Sequence, residues 1–529
     1  MKHKLIVRLA RASDVPGIAK LSQRCYDTPV WDYERATRSQ INNFPEGQFV
    51  AELGDEIVGH CATFIIGGDA ALAPHSWNQI TGDGLAARHD PEGDYLYGMG
   101  ICVDSRYRRL RIGQRLYNVR RRLCEEWALK GIVFGGRMPG FARRKQQYRT
   151  AEDYLKAVLD RRVRDSVIQF HLSYGFEPIG VIRNYDPDDH ESLGYAVHML
   201  WRNPLAEEAQ QPRSSTEGLS RQDIVRVATV QFQMRGIDSQ DAFAKQVAYF
   251  VDVAADYRSD FVVFPELFTL ELLSIETKEL SAGEAADRLT GYTAWFQEFM
   301  SELAVSHNIN IIGGSHPTRD AEGDLKNVCY VFLRDGSIYA QEKIHPTPNE
   351  ASWWNIKGGS KLDVINTDCG PVGVLICYDS EFPELARHLV DQGAMILFVP
   401  FCTDEPRGYL RVRYCGHARA IENQCYVVLS GVVGNLPNVE NMDIHYAQSC
   451  ILTPCDFAFS RDGVAADTGA NTETIAFADL RLADLRLARA SGTVRNLKDR
   501  RFDLYRVAWG YSAAPRTDAA ARKITTLGG

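Results

Sequence analysis

The hydrophobic positions of the second half of the chain predict buried strands that alternate with helices. Helical segments, with apolar residues every three to four positions, lie at 241–257 and 293–308. Strand-like runs are short, continuous and rich in β-branched residues, as in sheets buried on both faces. These runs lie at 261–266, 309–316, 328–333, 372–377, 394–400 and 426–434. The pattern predicts a layered α/β architecture.

The first half of the chain also alternates strand and helix patterns, with different spacing. Two apolar runs at 49–53 and 56–66 flank Gly54-Asp55, which predicts a β-hairpin. A further strand is predicted to end at Val103, and a helix to follow from about 113 to 130. A basic segment from 135 to 165 is interpreted as an insertion. This half is therefore also of the α/β class.

A polar stretch from Asn203 to Asp223 separates the two halves. It contains two prolines and no apolar periodicity, which is typical of a linker. We therefore predict an N-terminal domain over 1–203, a linker over 204–222, a C-terminal domain over 223–510 and a tail over 511–529.

Length and composition agree with two globular domains. The chain has 529 residues, 45% of them hydrophobic and 24% charged, and 529 residues are too many for a single ordinary core. The net charge of -8 argues against a nucleic-acid partner, because nucleic acids are themselves negatively charged. The apolar run before Arg8 is short, and no stretch approaches the roughly 20 apolar residues of a membrane helix. We predict a cytoplasmic protein with no membrane contact.

Twelve cysteines are scattered along the chain, and none forms a CxxC pair or lies at zinc-ligand spacing. We therefore predict no metal site, and we interpret most of these cysteines as small buried residues. Cys377 differs because it ends a predicted strand and precedes a segment that resembles the start of a helix. The partial positive charge of a helix N-terminus favours a thiolate.

Glu266 and Lys343 also follow predicted strands, where α/β enzymes place their reactive groups. A carboxylate beside a thiol can exchange protons with it, and a lysine can stabilise an oxyanion. Each residue alone has a plainer interpretation, as a core cysteine or a solvated charge. The spacing of the three does not itself demonstrate that they meet in space.

Three segments resemble the signature segments of the nitrilase superfamily of carbon–nitrogen hydrolases. They are FPELF at 264–268, EKIHPTPNE at 342–350 and VGVLICYDSEFPELAR at 372–387. Further matches are RAIENQCYVVLSG at 419–431, SCILTPCDF at 449–457 and DRRFDLY at 499–505. Together they cover about 225–505 in the order found in the family.

The resemblance implies an αββα sandwich that assembles as homodimers or higher homo-oligomers. It implies Cys377 as the nucleophile, Glu266 as the general base and Lys343 as an oxyanion donor, together with the backbone N–H of Tyr378. Glu350 matches a second glutamate that positions the substrate or the lysine. The implied reaction hydrolyses a small-molecule amide through a thioester, and this domain requires no metal or cofactor.

Within that superfamily, nitrile-cleaving members usually carry Trp-Glu after the nucleophile. This chain carries Tyr378-Asp379, as amidases and carbamoyl hydrolases often do, so an amide is favoured over a nitrile. Loops around Trp353 and Trp354, 402–409 and 434–445 are expected to line the pocket, although the two tryptophans could equally be packing residues.

The segment VDSRYRRLRIGQRLY at 103–117 resembles the pyrophosphate-binding motif of the GNAT acetyltransferases. Flanking matches at 7–22 and 171–182 extend the resemblance over about 5–202. It implies that the turn presents backbone N–H groups to acetyl-CoA or CoA. The candidate contacts are Val103, Arg108, Arg111, Gly113 and Gln114.

Three departures leave acetyl-CoA binding and acetyl transfer open. Arg111 stands where the motif has its first glycine, and His171 stands where many members have a catalytic tyrosine. The strand at 95–103 lacks the glutamate often found there. The chain could accordingly be an amidase with a GNAT-like domain, or an acetyltransferase with a structural hydrolase-like half. In a third reading, the N-terminal domain is a non-catalytic binding module.

A run of arginines follows the GNAT-like motif. It can be interpreted as a solvated helix face, as an attractor of nucleotide phosphates or as a nucleic-acid surface. Few aromatic residues are interleaved with it, which counts against binding of single strands. Its members are Arg108, Arg109, Arg111, Arg115, Arg120, Arg121 and Arg122, continued by Arg143, Arg144 and Lys145.

Overall fold

The computed structural model describes residues 4–26, 30–208, 224–276, 280–436, 444–505 and 509. Two sheets with helices around them account for these residues, which confirms the predicted α/β class. Most of the predicted linker, from 209 to 222, and the predicted tail at 511–529 lie outside the described residues. The first five positions of the predicted linker form a short helix, Pro204–Glu208.

The N-terminal domain is built on a seven-stranded sheet. Its strands are β1 Leu5–Leu9, β2 Gln48–Leu53, β3 Glu56–Ile66, β4 Tyr95–Val103, β5 Gly131–Arg137, β6 Glu177–Ile182 and β7 Ala196–Arg202. Its helices are α1 Val15–Tyr26, α2 Val30–Asn43, α3 Gly68–Leu72, α4 Trp77–Thr81, α5 Ile112–Glu126, α6 Ala151–Leu159, α7 Ser166–Ser173 and α8 Pro204–Glu208.

The strand order in this sheet is β1-β2-β3-β4-β5-β7-β6. The hairpin predicted around Gly54-Asp55 is present as antiparallel β2 and β3. Only β4 and β5 run parallel, and they pair through three residues, Tyr95–Tyr97 with Gly131–Val133. Beyond that point β4 continues to Val103 without pairing to β5. The turn that follows Val103 leads into α5.

The C-terminal domain contains the larger set of strands. They are β8 Ile224–Met234, β9 Phe261–Phe264, β10 Asn310–Gly313, β11 His316–Arg319, β12 Leu325–Phe332, β13 Ile338–Glu342, β14 Ile365–Thr367, β15 Gly370–Val374, β16 Ile396–Phe401, β17 Tyr426–Gly434, β18 Cys450–Leu452, β19 Val464–Asp467 and β20 Thr474–Arg481. The helices are α9 Gln240–Asp256, α10 Ala282–Thr290, α11 Thr293–His307, α12 Pro348–Trp353, α13 Pro383–Asp391, α14 Pro406–Asn423 and α15 Leu482–Ser491.

These strands form the two layers of a sandwich joined along one edge. One layer contains β8 to β13 and β20, and the other contains β14 to β19. The layers are joined where Phe232–Met234 of β8 pairs with Val432–Gly434 of β17. Helices α9 and α11 contact the first layer, and α13 and α14 contact the second. The predicted αββα arrangement is thereby confirmed.

The alternation of side chains between the two faces of each sheet explains why the sequences of these strands are continuous apolar runs. In β8 and β9, Val227 and Phe261 face the other sheet, whereas Ala228 and Val262 pack toward the helices. The Phe261 ring lies 5.1 Å from the ring of Phe398 in β16, across the sandwich. Because successive strand residues point to opposite faces, burial of both faces requires apolar residues at nearly every position.

The two domains contact each other directly. Val305, near the end of α11, is fully buried within the apolar core of the N-terminal domain. Arg115 of α5 donates a hydrogen bond to the Val305 carbonyl at 2.6 Å, and Arg258 donates to the Ser173 carbonyl at 2.6 Å. The turn between β4 and α5 therefore lies beside the C-terminal ends of α9 and α11. Among the described residues, no helix is both long and apolar enough to cross a bilayer.

Candidate active site

Three strand ends deliver the predicted catalytic side chains to one place. Glu266 follows β9, Lys343 directly follows β13, and Cys377 comes shortly after β15. Cys377 has a φ of 47°, in the left-handed region that a residue with a Cβ seldom adopts. The expected helix does not begin immediately after it, because a 3-10 turn, Cys377–Glu381, precedes α13. The strained turn fixes where the sulfur points.

Lys343 lies between two carboxylates in a buried cluster. Its Nζ is 2.7 Å from Oε1 of Glu266 and 2.5 Å from Oε2 of Glu350. Lys343 is 1% exposed, Glu266 2% and Glu350 8%, so all three charges are removed from water. An ammonium group has three N–H donors, and these contacts use two of them. The third remains for a ligand oxygen.

The thiol of Cys377 borders this cluster. Its Sγ lies 3.8 Å from the carbonyl oxygen of Cys402, to which it donates, and the nearby Glu266 carboxylate raises the pKa of the thiol. The backbone N–H of Cys402 donates to Oε2 of Glu266 at 3.0 Å. The loop after β16 thus contacts both the thiol and the carboxylate. Glu266, Lys343, Glu350 and Cys377, which the sequence analysis proposed as a group, meet in one pocket.

The position of Glu350 has a local explanation. Thr347 and Glu350 form a capping box at the start of α12. The Thr347 N–H donates to Oε2 of Glu350 at 2.8 Å, and Thr347 Oγ1 accepts from the Glu350 N–H at 3.2 Å. The sequence Thr-Pro-Asn-Glu encodes this arrangement, because threonine at the N-cap and glutamate three residues later satisfy each other's backbone donors.

Asp379 connects the nucleophile turn to the segment after Lys343. Its carboxylate accepts from the backbone N–H groups of Ile344 and His345, at 3.0 and 2.8 Å, and contacts His345 Nδ1 at 3.0 Å. The His345 ring also stacks on Phe382 with 3.8 Å between centroids. These contacts hold the strand ends that carry Lys343 and Cys377 in a fixed relation.

One site residue was missed by the sequence analysis. Asn327, in β12, is fully buried, and its Nδ2 donates to Oε1 of Glu266 at 3.0 Å and to Oε1 of Glu350 at 2.8 Å. The available signal was a polar residue directly before the apolar run that begins at Val328. An amide inside a buried strand requires polar partners, and here they are the two carboxylates.

The electrostatics of the pocket follow from burial and from the neighbouring charges. Burial raises the pKa of Glu266, although Lys343 opposes the shift. Burial likewise raises the pKa of the Cys377 thiol well above its ordinary value, and the Glu266 charge adds to that effect. Burial and the Glu266 charge thus act against the thiolate, in the direction opposite to that expected from a helix N-terminus. A thiol whose pKa is raised requires a base to become a nucleophile.

For Lys343 and Glu350, the neighbouring charges outweigh burial and favour the charged form of each group. Burial acts against a charged Lys343, but Glu266 and Glu350 outweigh it and raise the pKa of the ammonium well above its ordinary value. Burial also acts against a charged Glu350, but Lys343 outweighs it and lowers the pKa of that carboxyl. The charged forms of Lys343 and Glu350 are therefore favoured together, whereas burial favours the protonated form of Glu266.

The segments expected to line the site differ in their exposure. Trp353 is 55% exposed, whereas Trp354 is buried and packs in the core. Cys402 Sγ lies 3.4 Å from Nδ1 of His445. Residues 437–443 of the expected lining lie outside the described residues. Among the described residues, no group of three or more His, Cys, Asp or Glu side chains is arranged to hold a metal ion.

The second candidate site is the turn between β4 and α5 of the N-terminal domain. Val103 ends β4, Arg108 lies in a 3-10 turn, and Arg111, with a φ of 48°, leads into α5, which contains Gly113 and Gln114. A Cβ on Gly113 would come within 2.8 Å of the Phe170 ring, so this glycine also serves close packing against α7. The five predicted contacts therefore extend from the end of β4, through the turn, to the first residues of α5.

Arg111 does not project into solvent as a free cation. Its guanidinium lies 3.5 Å from Asp252 and 3.6 Å from Asp256, both on α9 of the C-terminal domain. Arg115, Arg120 and Arg121 are buried rather than solvated, and Arg120 donates to the carbonyls of Ala62 and Gly100. The interpretation of the arginine run as a solvated helix face is thus wrong for these three residues.

Comparisons with known proteins match two separate parts of the chain to two families. The family model for carbon-nitrogen hydrolases matches residues 226–490, and that for the GNAT acetyltransferase family matches residues 15–144. Probable hydrolase YhcX of Bacillus subtilis (strain 168) is 44% identical over 509 residues, which are 96% of this chain and 98% of YhcX.

Two further relatives each match one domain. An uncharacterized N-acetyltransferase, YkwB of Bacillus subtilis (strain 168), is 31% identical over 210 residues, which are 39% of this chain and 92% of YkwB. Omega-amidase NIT3 of Saccharomyces cerevisiae (strain ATCC 204508 / S288c) is 29% identical over 292 residues, 53% of this chain and 94% of NIT3.

The sandwich is that of a carbon–nitrogen hydrolase domain. The chain belongs to the carbon–nitrogen hydrolase family of the nitrilase superfamily, and it carries a GNAT-family domain at its N-terminal side. Both predicted resemblances are thereby confirmed.

Proposed function

We propose that the C-terminal domain hydrolyses the carbon–nitrogen bond of a small-molecule amide through a thioester on Cys377. One observation carries this proposal: the buried Cys377 thiol borders the buried Glu266 carboxylate, which pairs with the buried Lys343 ammonium at 2.7 Å. Because these groups are buried away from water, the electrostatic interaction of each charge with a bound substrate is stronger than it would be in solvent. Glu266 acts as general base, Lys343 as oxyanion donor and Glu350 as the lysine's fixed counter-ion.

In the first half of the reaction, Cys377 transfers its proton to Glu266 as its sulfur attacks the amide carbonyl. The carbonyl oxygen becomes an oxyanion, which accepts hydrogen bonds from Lys343 Nζ and from the backbone N–H of Tyr378. When the intermediate collapses, the C–N bond breaks and Glu266 returns the proton to the departing nitrogen. Ammonia or an amine leaves, and the acyl group remains on sulfur as a thioester.

In the second half, a water molecule attacks the thioester carbonyl and gives a proton to Glu266. The same donors stabilise the second oxyanion. Collapse breaks the C–S bond, the carboxylic acid leaves, and Glu266 reprotonates the sulfur. The cycle closes without a metal or an oxidant, and every proton passes through one carboxylate.

An amide is favoured over a nitrile on two grounds. The nucleophile is followed by Tyr378-Asp379 rather than by Trp-Glu. In addition, the relatives that match the C-terminal domain include omega-amidases from yeast and mouse at 29% and 28% identity. Their names support an amide as the substrate class of this chain.

The direct test is a screen of the purified full-length protein for ammonia release from small amides, carbamoyl compounds and nitriles. We expect turnover on amides that Cys377→Ala abolishes. A mutant that matches the wild type on every hit would remove Cys377 from the reaction. Preferential release from nitriles would overturn the amidase assignment and leave the nucleophile in place.

We further propose that the C-terminal domain forms a homodimer through α14. Leu410, Tyr414 and Ile421 are exposed on this helix at 36%, 64% and 39%, at spacings that align them along one side. Sedimentation equilibrium tests the proposal: Tyr414→Asp should lower the apparent mass toward that of a monomer.

All twelve cysteines are free thiols, as suits a reducing compartment such as the cytoplasm.

For the N-terminal domain we propose binding of acetyl-CoA or CoA at the β4–α5 turn. The strand-to-helix geometry and the exposed guanidiniums of Arg108 and Arg109 support a phosphate ligand. The contacts of Arg111 with Asp252 and Asp256 count against tight binding, because two carboxylates already neutralise that charge. Titration calorimetry of the full-length protein with CoA and with acetyl-CoA tests the proposal.

Two alternatives give different results in the same experiments. An acetyltransferase with a structural hydrolase-like half would acetylate amines from acetyl-CoA and would be indifferent to Cys377→Ser. A non-catalytic binding module would give no heat with either cofactor. The preserved cluster around Lys343 favours the amidase over both, because a purely structural domain has no need of three buried charges beside a thiol.

A further inference from the structure

Asn327 contacts both glutamates of the pocket. Its Nδ2 carries two N–H donors, one directed at Oε1 of Glu266 and the other at Oε1 of Glu350. Its own carbonyl oxygen is buried without a hydrogen-bond partner. The opposite orientation of the amide would place that oxygen against two carboxylates, so repulsion fixes the observed one. An unsatisfied buried oxygen is destabilising, which indicates that the N–H groups are what the site requires.

The hydrogen bonds of Glu266 make its two oxygens unequal. Oε1 accepts from Asn327 at 3.0 Å and from Lys343 at 2.7 Å, which fills both of its acceptor positions. Oε2 accepts from the Cys402 N–H at 3.0 Å, and one acceptor position remains. A proton that arrives at Glu266 therefore finds room only on Oε2.

We propose that Asn327 is a positioning residue for the hydrolysis: together with Lys343 it occupies Oε1 of Glu266 and so makes Oε2 the oxygen that takes and returns the proton of Cys377. This inference rests on the proposed function. Asn327 donates a hydrogen bond to Oε1 of Glu266 without adding a charge to the cluster. A lysine in its place would neutralise the remaining negative charge of the cluster, and an aspartate would add a third carboxylate.

The position of Asn327 has a second consequence for Glu350. Oε1 of Glu350 accepts from Asn327, and Oε2 accepts from Lys343 and from the Thr347 N–H. Glu350 is consequently held in its ionised form by donors on both oxygens. The same amide thus keeps Glu350 out of proton transfer and directs Glu266 into it.

The test compares Asn327→Leu, Asn327→Asp and Asn327→Ser with the wild type. Leucine removes both donors at similar volume, aspartate replaces donors by an acceptor, and serine retains one donor. We expect kcat to fall about 10- to 100-fold for Leu and Asp, with KM changed much less, because hydrogen bonds to charged groups are lost. Serine should recover part of the loss.

A second readout requires no substrate: the rate at which iodoacetamide alkylates Cys377. The rate is measured on the peptide that contains Cys377, at a series of pH values. Loss of donors to Glu266 disfavours its ionised form and raises its pKa. The pH at which alkylation becomes fast should therefore move upward in Asn327→Leu and Asn327→Asp. An asparagine with only a structural role would lower the melting temperature without this displacement.

Asn310→Leu is the matched control. Asn310 is equally buried and also bonds a carboxylate, Asp368 at 3.0 Å, but it lies at the opposite end of the strands from Glu266. It should lose stability and keep the wild-type pH profile. If the folded Asn327 variants keep wild-type kcat and alkylation profiles, the inference is overturned. If wild-type Cys377 alkylates no faster than exposed Cys455 and no amide is cleaved, the proposed function itself fails.

Discussion

The pocket around Lys343 and the turn around Arg111 were both proposed from short motifs, and they differ in how their charges are satisfied. In the pocket, Lys343 is paired with Glu266 and Glu350 from its own domain, and the three form a closed cluster. At the turn, Arg111 is paired with Asp252 and Asp256 from the other domain, at longer distances and in partial contact with solvent. A motif therefore indicates which residues converge, and their partners determine what those residues can do.

The sharpest way to break this comparison is to remove the nucleophile. Cys377→Ala should lower amide hydrolysis by at least about 10⁴-fold, because a residue that forms the covalent intermediate has no substitute. The measurement is ammonia release at saturating amide. Cys455→Ala, which removes an exposed thiol away from the pocket, should retain wild-type turnover. Equal turnover in Cys377→Ala would assign the chemistry to another group.

Removal of Lys343 should affect catalysis and stability together. Lys343→Ala is expected to lower kcat/KM about 10²- to 10³-fold through loss of an oxyanion donor. It should also lower the free energy of unfolding by about 3–5 kcal/mol, because two buried carboxylates lose their cation. Kinetics and urea unfolding provide the two readouts. Lys245→Ala, which breaks only an exposed pair with Asp241, should change neither measurably.

The pH dependence of hydrolysis tests the assignment of Glu266. The base must be ionised to accept the thiol proton, so activity is lost as pH falls through its pKa. Burial raises that pKa above the ordinary 4.5, and the acidic limb of kcat/KM should accordingly lie above 4.5. Lys343, whose pKa is raised, stays charged through the neutral range and should add no alkaline limb there. An acidic limb at or below 4.5 would contradict the role of Glu266.

Much of the C-terminal domain was predictable because its signals are local. The run 426–434 is interrupted by one small polar residue, Ser430, and β17 spans the same residues, Tyr426–Gly434. The strand-end positions of Glu266, Lys343 and Cys377 follow directly from those boundaries. The link between Thr347 and Glu350 was also present in the sequence as a capping box.

Other features could not be predicted because they depend on contacts between distant segments. Asn327 meets Glu266 only because β12 and β9 both flank β10, and nothing near residue 327 identifies its partners. Arg115 is buried because α5 docks on the end of α11, 190 positions further along the chain. The pKa of Cys377 rises because the fold encloses it, whereas the local sequence suggested the opposite direction.

The smallest effect on stability is expected for a substitution in the β4–α5 turn of the N-terminal domain. Arg111→Gly should change the free energy of unfolding by no more than about 1 kcal/mol. The loss of two exposed ion pairs is offset because glycine adopts the left-handed backbone conformation without the steric strain of an arginine. Arg115→Ala, which removes the buried bond to the Val305 carbonyl, should cost more, about 1–3 kcal/mol. Urea unfolding of the full-length protein distinguishes the two.

The same variant tests whether the two domains compete for this turn. If Asp252 and Asp256 hold Arg111 away from a phosphate ligand, Asp252→Asn with Asp256→Asn should strengthen CoA binding in calorimetry without altering the turn itself. Arg111→Gly should strengthen it only if the backbone N–H groups, rather than the guanidinium, receive the pyrophosphate. Unchanged heats in both variants would indicate that the turn serves domain docking, in contrast to the pocket of Lys343, for which we propose a role in hydrolysis.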